Sequence, residues 1–229
     1  MMKILAMDTS NKALSLAILE NKELLGQVTF NIKKNHSITL MPAIDFLMNS
    51  LDMKPTDLDR IAVAQGPGSY TGLRIAVATA KTLAHTLKIE LVGVSSLLAL
   101  VPEQVEGLAI PIMDARRNNV YAGFYQSGQA VRPEAHLPLV EVLEIAGAAN
   151  QPVTFVGETT AFAEQIKVAL PQAAIQPTLP DAAALGRIGL DLPTQSVHDF
   201  VPNYLKRVEA EENWLKTHQE SSDSYIQRL

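Results

Sequence analysis

The order of the elements that the chain encodes repeats, and this repeat constrains the fold more than any single motif. Lys3 to Asp8, Ala13 to Leu19 and Glu23 to Phe30 read as three strands, each short, apolar and closed by a polar turn. From Leu40 the apolar residues fall at helical spacing (Leu40, Ile44, Leu47, Met48, Leu51), predicting a helix over 37–51. A buried strand at Ile61 to Ala64, a proline-free helix at Thr71 to Leu87, a strand at Glu90 to Val94 and a helical stretch ending near Pro102 follow. The second half runs through the same order. Its strands are Ile110 to Met113, Val120 to Tyr125 and Gln129 to Ala135, then Val153 to Val156 and Ala173 to Ile175; its helices are Leu139 to Ala149, Thr160 to Leu170 and Asp181 to Gly189. Each half places an aspartate, Asp8 or Asp114, directly after its first strand. Three strands, helix, strand, helix, strand, helix, twice, predicts two α/β units of about 100 residues facing each other across a cleft.

Composition excludes several classes. Of 229 residues 47% are hydrophobic and 19% charged, so the chain has the material for a real core. With 19 Lys plus Arg against 24 Asp plus Glu the formal net charge is −5, whereas a protein that wraps nucleic acid by itself is normally basic. The absence of cysteine removes disulfide scaffolds, cysteine nucleophiles and thiolate metal sites. No apolar run reaches the length of a membrane helix, and MMKILAMDTS is unlike a signal peptide because Asp8 interrupts it; the expectation is a cytoplasmic protein without membrane contact.

The strongest local signal is Gly66-Pro67-Gly68-Ser69-Tyr70-Thr71-Gly72-Leu73-Arg74, a glycine-rich loop between a strand and a helix. It matches neither dinucleotide nor P-loop spacing. Its two readings are an anion cradle at a helix N-terminus, or a tight turn whose glycines let two backbones approach. Asp8-Thr9-Ser10 could likewise meet a phosphate or its magnesium ion, or form a plain Asx turn. Asp114 with Arg116 and Arg117 has the same pair of readings. In the 71–87 helix Ala76, Ala78, Ala80 and Ala84 permit close packing, while Arg74, Lys81, His85 and Lys88 share a face that is either a solvated basic edge or a partner surface. Of five histidines none has a second at helical metal-ligand spacing, and the G-x-S-x-G elbow is absent.

The segments ILAMDTS, NHSITLMP (35–42), GPGSYTGLRIAVATAKTLA (66–84), VSSLLAL (94–100), MDARRNNVYAGFY (113–125) and PNYLKR (202–207) run in order over almost the whole chain. Together they resemble the TsaB (YeaZ) family, a bacterial subunit of the machinery that makes threonylcarbamoyladenosine (t6A) in tRNA. The resemblance implies an α/β actin-like ATPase (ASKHA) fold of two tandem ribonuclease-H-like subdomains, at 1–106 and 107–205, with a tail at 206–229. It implies a non-catalytic scaffold or activating subunit that pairs with TsaD, the larger paralogue carrying the transferase site, is joined by the ATPase TsaE, and forms a homodimer when alone. A separate enzyme, TsaC, supplies threonylcarbamoyl-AMP. Contact with tRNA would then come only through the complex, and ATP and a metal ion would belong to the assembly, not to this chain. Where TsaD carries a His-x-x-x-His metal pair, this chain has His36 and Leu40, and leucine offers no donor.

The resemblance places the partner interface on His36, Leu40, Ile44, Leu47, Arg74, Val77, Ala80, Lys81, Leu83, Ala84 and His85, so that a charge at Ala76, Ala80 or Leu83 should break the pairing and spare the fold. It leaves Asp8, Thr9, Ser10, Gly66, Gly68, Ser69, Gly72, Asp114 and Arg116 as a vestigial or weak nucleotide site. The alternative function is an ATP-dependent kinase or ATPase of the same fold using Asp8; a metallopeptidase lacks its ligands.

Overall fold

The computed structural model describes residues 1–31 and 35–206. Of the tail expected at 206–229, everything from residue 207 lies outside the described residues. The first sheet is built by β1 (Lys3–Asp8), β2 (Leu14–Glu20), β3 (Glu23–Phe30), β4 (Arg60–Gly66) and β5 (Glu90–Ser95) in the order β3-β2-β1-β4-β5. β1 to β3 form an antiparallel meander, and β4 and β5 run parallel to β1. A central strand covered on both faces has no solvated side to alternate toward, which is why Ile4 to Met7 are all apolar and all buried.

The two faces of this sheet differ in side-chain size. Leu5, Met7, Leu16, Ile18, Ile61 and Val63 point toward α1 (His36–Ser50) and α2 (Tyr70–Leu87). Ile4, Ala6, Ala17, Ala62 and Ala64 lie on the opposite face, against α5 (Ala182–Asp191). The alanines let α5 come close. A Cβ on Gly186 would stand 2.4 Å from a Leu19 methyl, and one on Gly189 would stand 2.8 Å from the Ala62 Cβ. Asp181 caps the start of this helix by accepting from the Ala183 and Ala184 amides. Arg60 caps its end, with Nη1 donating to the Gly189 and Leu190 carbonyls at 2.8 and 2.9 Å while Nε and Nη2 hold Glu90 at 2.7 and 2.6 Å. A cation on the last carbonyls of a helix satisfies groups that the helix itself cannot.

The second sheet comprises β6 (Leu108–Asp114), β7 (Asn119–Gln126), β8 (Gln129–Pro138), β9 (Val153–Gly157) and β10 (Ala174–Pro177), in the order β10-β9-β6-β7-β8. Its pairings repeat those of the first sheet strand for strand. α3 (Leu139–Gly147) and α4 (Ala163–Ala169) cover one face around Ile110, Ile112, Phe124 and Phe155. The 97–105 connection covers the other around Met113 and Tyr125.

Three expectations require correction. The helix ending near Pro102 is a single 3-10 turn, Leu98–Leu100. The helix expected at 160–170 starts as a 3-10 turn and becomes α-helical only at Ala163. The subdomain expected at 107–205 also divides differently, because α5 packs on the first sheet and the chain then stays with the first lobe. Gln195 N donates to the Leu91 carbonyl at 2.9 Å, Asn203 N to the Gln65 carbonyl at 2.7 Å, and Phe200 is buried between α2 and the sheet. Side chains also tie the lobes together: Ser95 Oγ and the Tyr125 hydroxyl both bond Glu134 Oε1, and Thr178 Oγ1 donates to the Leu100 carbonyl at 3.0 Å.

Arg60→Ala removes charge-assisted bonds and exposes no new partner for the α5 carbonyls, so it should cost about 2 to 3 kcal/mol and lower the thermal midpoint by roughly 4 to 10 °C. Thermal unfolding followed by circular dichroism measures this; a midpoint within about 1 °C of the parent would show that α5 does not depend on the cap.

Candidate functional site

The turn after β1 is closed by its own backbone. Asp8 Oδ1 accepts from Ser10 N at 2.7 Å, Thr9 Oγ1 donates to the Gly72 carbonyl at 2.7 Å, and Ser69 N donates to the Ser10 carbonyl at 2.6 Å. Asp8, Thr9 and Ser10 are all buried. The glycine-rich loop lies directly on this turn. A Cβ on Gly72 would fall 2.0 Å from the Thr9 carbonyl oxygen, and one on Gly68, at φ +156°, 2.3 Å from that of Ser10. Of the readings open in the sequence, the geometry is that of an Asx turn onto which two glycines bring a second backbone. Ser69 caps α2 by accepting from Gly72 N at 3.3 Å. Gly66 belongs to another contact, since its Cβ would meet the Asn203 carbonyl oxygen at 2.4 Å.

Burial pushes the Asp8 carboxyl above its ordinary value, against the pull of the Ser10 hydrogen bonds. Ser10 aside, no described residue donates to its Oδ2. This enclosure does not suit magnesium-bound phosphate, which needs an approach path and several oxygen ligands around the ion.

The second lobe repeats the turn in open form. Asp114 Oδ1 accepts from Arg116 N at 2.7 Å, as Asp8 does from Ser10, but Asp114 is exposed. Arg116, Arg117 and Asn118 are all left-handed (φ 67°, 52° and 58°), and Asn119 Nδ2 steadies them by donating to the carbonyls of Arg116 and Arg117. Between the lobes lies a cleft of about 910 Å³ whose walls include Ser10, Gly68, Ser69, Asp114, Arg116 and Glu158. Asp8, Thr9, Gly66 and Gly72 are absent from its lining. Glu158 escaped the reading of the sequence; its carboxylate accepts from Asp114 N at 2.9 Å, and burial raises its pKa. Its position after Gly157, where β9 ends as β4 ends at Gly66, was the available signal.

The structure splits the residues expected at a partner interface. Leu40, Ile44, Leu47, Val77, Ala80 and Ala84 are core residues of the chain itself, together with Ala76, and Leu83 packs against them half-buried. A charge at Ala76 or Ala80 would therefore break the fold before it reached a partner. Lys81 is also committed, donating to the carbonyls of His198 and Phe200 at 3.0 and 2.8 Å, and His85 meets the His198 ring edge-on. Arg74 bonds the Tyr70 hydroxyl at 3.0 Å. His36 tethers the start of α1 to the Asn11 carbonyl through Nε2 at 3.0 Å.

The outer face of α1 is apolar and exposed. Ile38 is 69%, Met41 49% and Phe46 61% accessible, with Phe30 of β3 alongside, and a hollow of about 230 Å³ opens between Phe30, His36, Pro42 and Phe46. Ile38, Met41 and Phe46 fall outside the Leu40/Ile44/Leu47 stripe, and that excess of apolar residues over what one buried face needs was the signal in the sequence.

Two predictions follow from the turn. Gly72→Ala should destabilise the protein by about 2 kcal/mol or more through backbone displacement, whereas Gly147→Ala, which meets only the tip of Leu170, should change stability by less than about 1 kcal/mol; chemical denaturation measures both. The raised Asp8 pKa means that the folded state holds this proton to higher pH than the unfolded chain, so Asp8 contributes a loss of stability as pH rises from the ordinary carboxyl value, 3.8, through the raised one. Asp8→Asn should remove that part of the decline, and an unchanged pH profile of stability would contradict it.

Comparison with known proteins places this architecture. The family model described as TsaD, tRNA N6-adenosine threonylcarbamoyltransferase, matches residues 23–214. The tRNA threonylcarbamoyladenosine biosynthesis protein TsaB of Bacillus subtilis is 41% identical over 227 residues, covering 94% of this chain and 99% of its own length. YeaZ from Pseudomonas aeruginosa superposes with a TM-score of 0.76 at 28% identity, over 90% of this chain and all of that one. The ethanolamine utilization protein EutJ of Carboxydothermus hydrogenoformans, at 13% identity and a TM-score of 0.51 over 81% of this chain and 89% of its own, shares the fold alone. With its duplicated sheets forming the two tandem ribonuclease-H-like units of the actin-like ATPase fold, the chain belongs to the TsaB (YeaZ) family of tRNA threonylcarbamoyladenosine biosynthesis proteins.

Proposed function

We propose that this chain is a non-catalytic subunit that pairs with TsaD through the outer face of α1 and thereby supports threonylcarbamoylation of the N6 amino group of adenosine 37 in tRNAs reading codons that begin with A. The observation that carries the proposal is the exposed apolar surface of Phe30, Ile38, Met41 and Phe46. Exposed apolar residues that cluster around a hollow, with polar Ser37 and Asp45 at their margin, have the make-up of an interface core with its rim. The TsaD-type family model matches most of this chain, so the two proteins would present related first lobes to each other. If the same face also accepts a second copy of the chain, the chain would form a homodimer in the absence of TsaD.

The enclosed Asp8 carboxylate supports a role without nucleotide turnover of its own. In this reading ATP and the metal ion belong to TsaD and TsaE in the assembly, and TsaE joins the pair after it has formed. The kinase or ATPase alternative would need Asp8 to reach magnesium, and the burial of its carboxylate argues against that.

Phe46→Glu places a charge at the middle of the proposed contact without touching the core. It should abolish the stoichiometric complex with TsaD in size-exclusion chromatography with light scattering, and leave the thermal midpoint within about 2 °C of the parent. A complex that still forms at parental affinity would refute the α1 face as the interface.

A further inference from the structure

Tyr70, the first residue of α2, and Tyr204, on the returning segment, stack with ring centroids 5.1 Å apart and planes at 30°. The Arg74 guanidinium lies 5.4 Å from the Tyr70 centroid. Each ring gives one face to the other, and both residues stay partly exposed, Tyr70 at 45% and Tyr204 at 40%. Both line the mouth of the inter-lobe cleft, together with Lys12, Arg116 and Lys206. Among the described residues the acidic groups of that cleft are Asp114 and Glu158, Asp114 accepting from Arg116 N and Glu158 from Asp114 N, with Lys12 acting on the Glu158 charge. On a chain of net charge −5 this cleft gathers, among the described residues, three Lys and Arg side chains against two acids, beside a partly exposed pair of aromatic rings.

We infer that the cleft binds single-stranded RNA, with Tyr204, backed by Tyr70, stacking an unpaired base and Lys12, Arg116 and Lys206 facing the phosphates. Aromatic faces beside a cationic groove are the elements of sequence-tolerant single-strand binding, since every base has a π-face and the backbone supplies the charge. The inference rests on the chain's place in tRNA modification, because a tRNA loop offers such unpaired bases. It also departs from the expectation that tRNA is met only through the complex.

The test uses the full chain and a fluorescein-labelled oligoadenylate RNA of about ten nucleotides, within the span that one such site covers, titrated by anisotropy over a series of salt concentrations. Tyr204→Ala should weaken binding at least about fivefold, the low end of the cost of one stacking ring, and Tyr204→Phe should retain it. Lys206→Gln, which leaves the ring pair intact, should reduce the slope of log affinity against log salt by about 0.7, the contribution of one phosphate contact on a single strand. Binding by Tyr204→Ala and Lys206→Gln indistinguishable from the parent, or no binding by the parent, would overturn the inference. Pairing with TsaD is measured on the same variants. If Tyr204→Ala loses TsaD and keeps the RNA, the ring pair is a protein contact and the RNA assignment fails. If the parent chain itself ignores TsaD, the proposed function fails independently of the RNA result.

Discussion

The seat of the glycine-rich loop on the turn after β1 sets much of what surrounds it. Two carbonyl oxygens, those of Thr9 and Ser10, stand where the Cβ atoms of Gly72 and Gly68 would be, and two hydrogen bonds close the contact. That contact fixes where α2 begins, since Ser69 is both its cap and a partner of Ser10. Beside that contact Asp8 is fully buried, so the strand-end carboxylate is an enclosed group whose charge burial disfavours. The sister turn at Asp114 keeps the hydrogen bond to the residue two positions on but has no glycine loop above it, and it stays open. One architecture thus carries a closed and an open version of the same turn.

The second organising feature is the way the C-terminal stretch returns. After the second sheet is complete, α5 crosses to the small-residue face of the first, and the 195–204 segment follows β5, β4 and α2. The first lobe is therefore covered on both faces by its own chain, which leaves the outside of α1 as its main unpaired apolar surface among the described residues. Lys81 and His85, which a helical wheel assigns to an outer edge, are partners of the returning segment instead. With the Glu134 bonds and Thr178 bridging the lobes as well, the cleft is framed by chain crossings and polar ties together.

The strands were legible because their causes are local. Apolar runs such as Lys3 to Asp8 and Ile110 to Met113, ended by polar turns, announce buried central strands, and the repeat of element order carried over into identical sheet topology. What could not be read is what depends on distant packing. Nothing near Ala182 says that α5 pairs with Ala6 and Ala62 across the chain, and nothing near Lys81 announces the carbonyls of His198 and Phe200. The stripe Leu40, Ile44, Leu47 was recognised correctly as a continuous apolar face, but such a face in one chain is more readily its own core than a partner's. The apolar residues left over, Ile38, Met41 and Phe46, are the ones that stay exposed. In the cleft, Asp114 and Arg116 were legible as a turn, while Glu158, Tyr204 and Lys206 needed the fold to bring them there.

The account turns on the enclosed Asp8 carboxylate taking no part in nucleotide chemistry, and one reconstitution tests this directly. The t6A content of tRNA is measured after incubation with TsaC, TsaD, TsaE, substrates and either the parent chain or Asp8→Asn, a change that keeps the side chain's shape and its acceptor for Ser10 N. The account predicts the same rate and yield with both. Loss of modification with Asp8→Asn, while the variant still folds and still pairs with TsaD, would contradict it and return Asp8 to a chemical role.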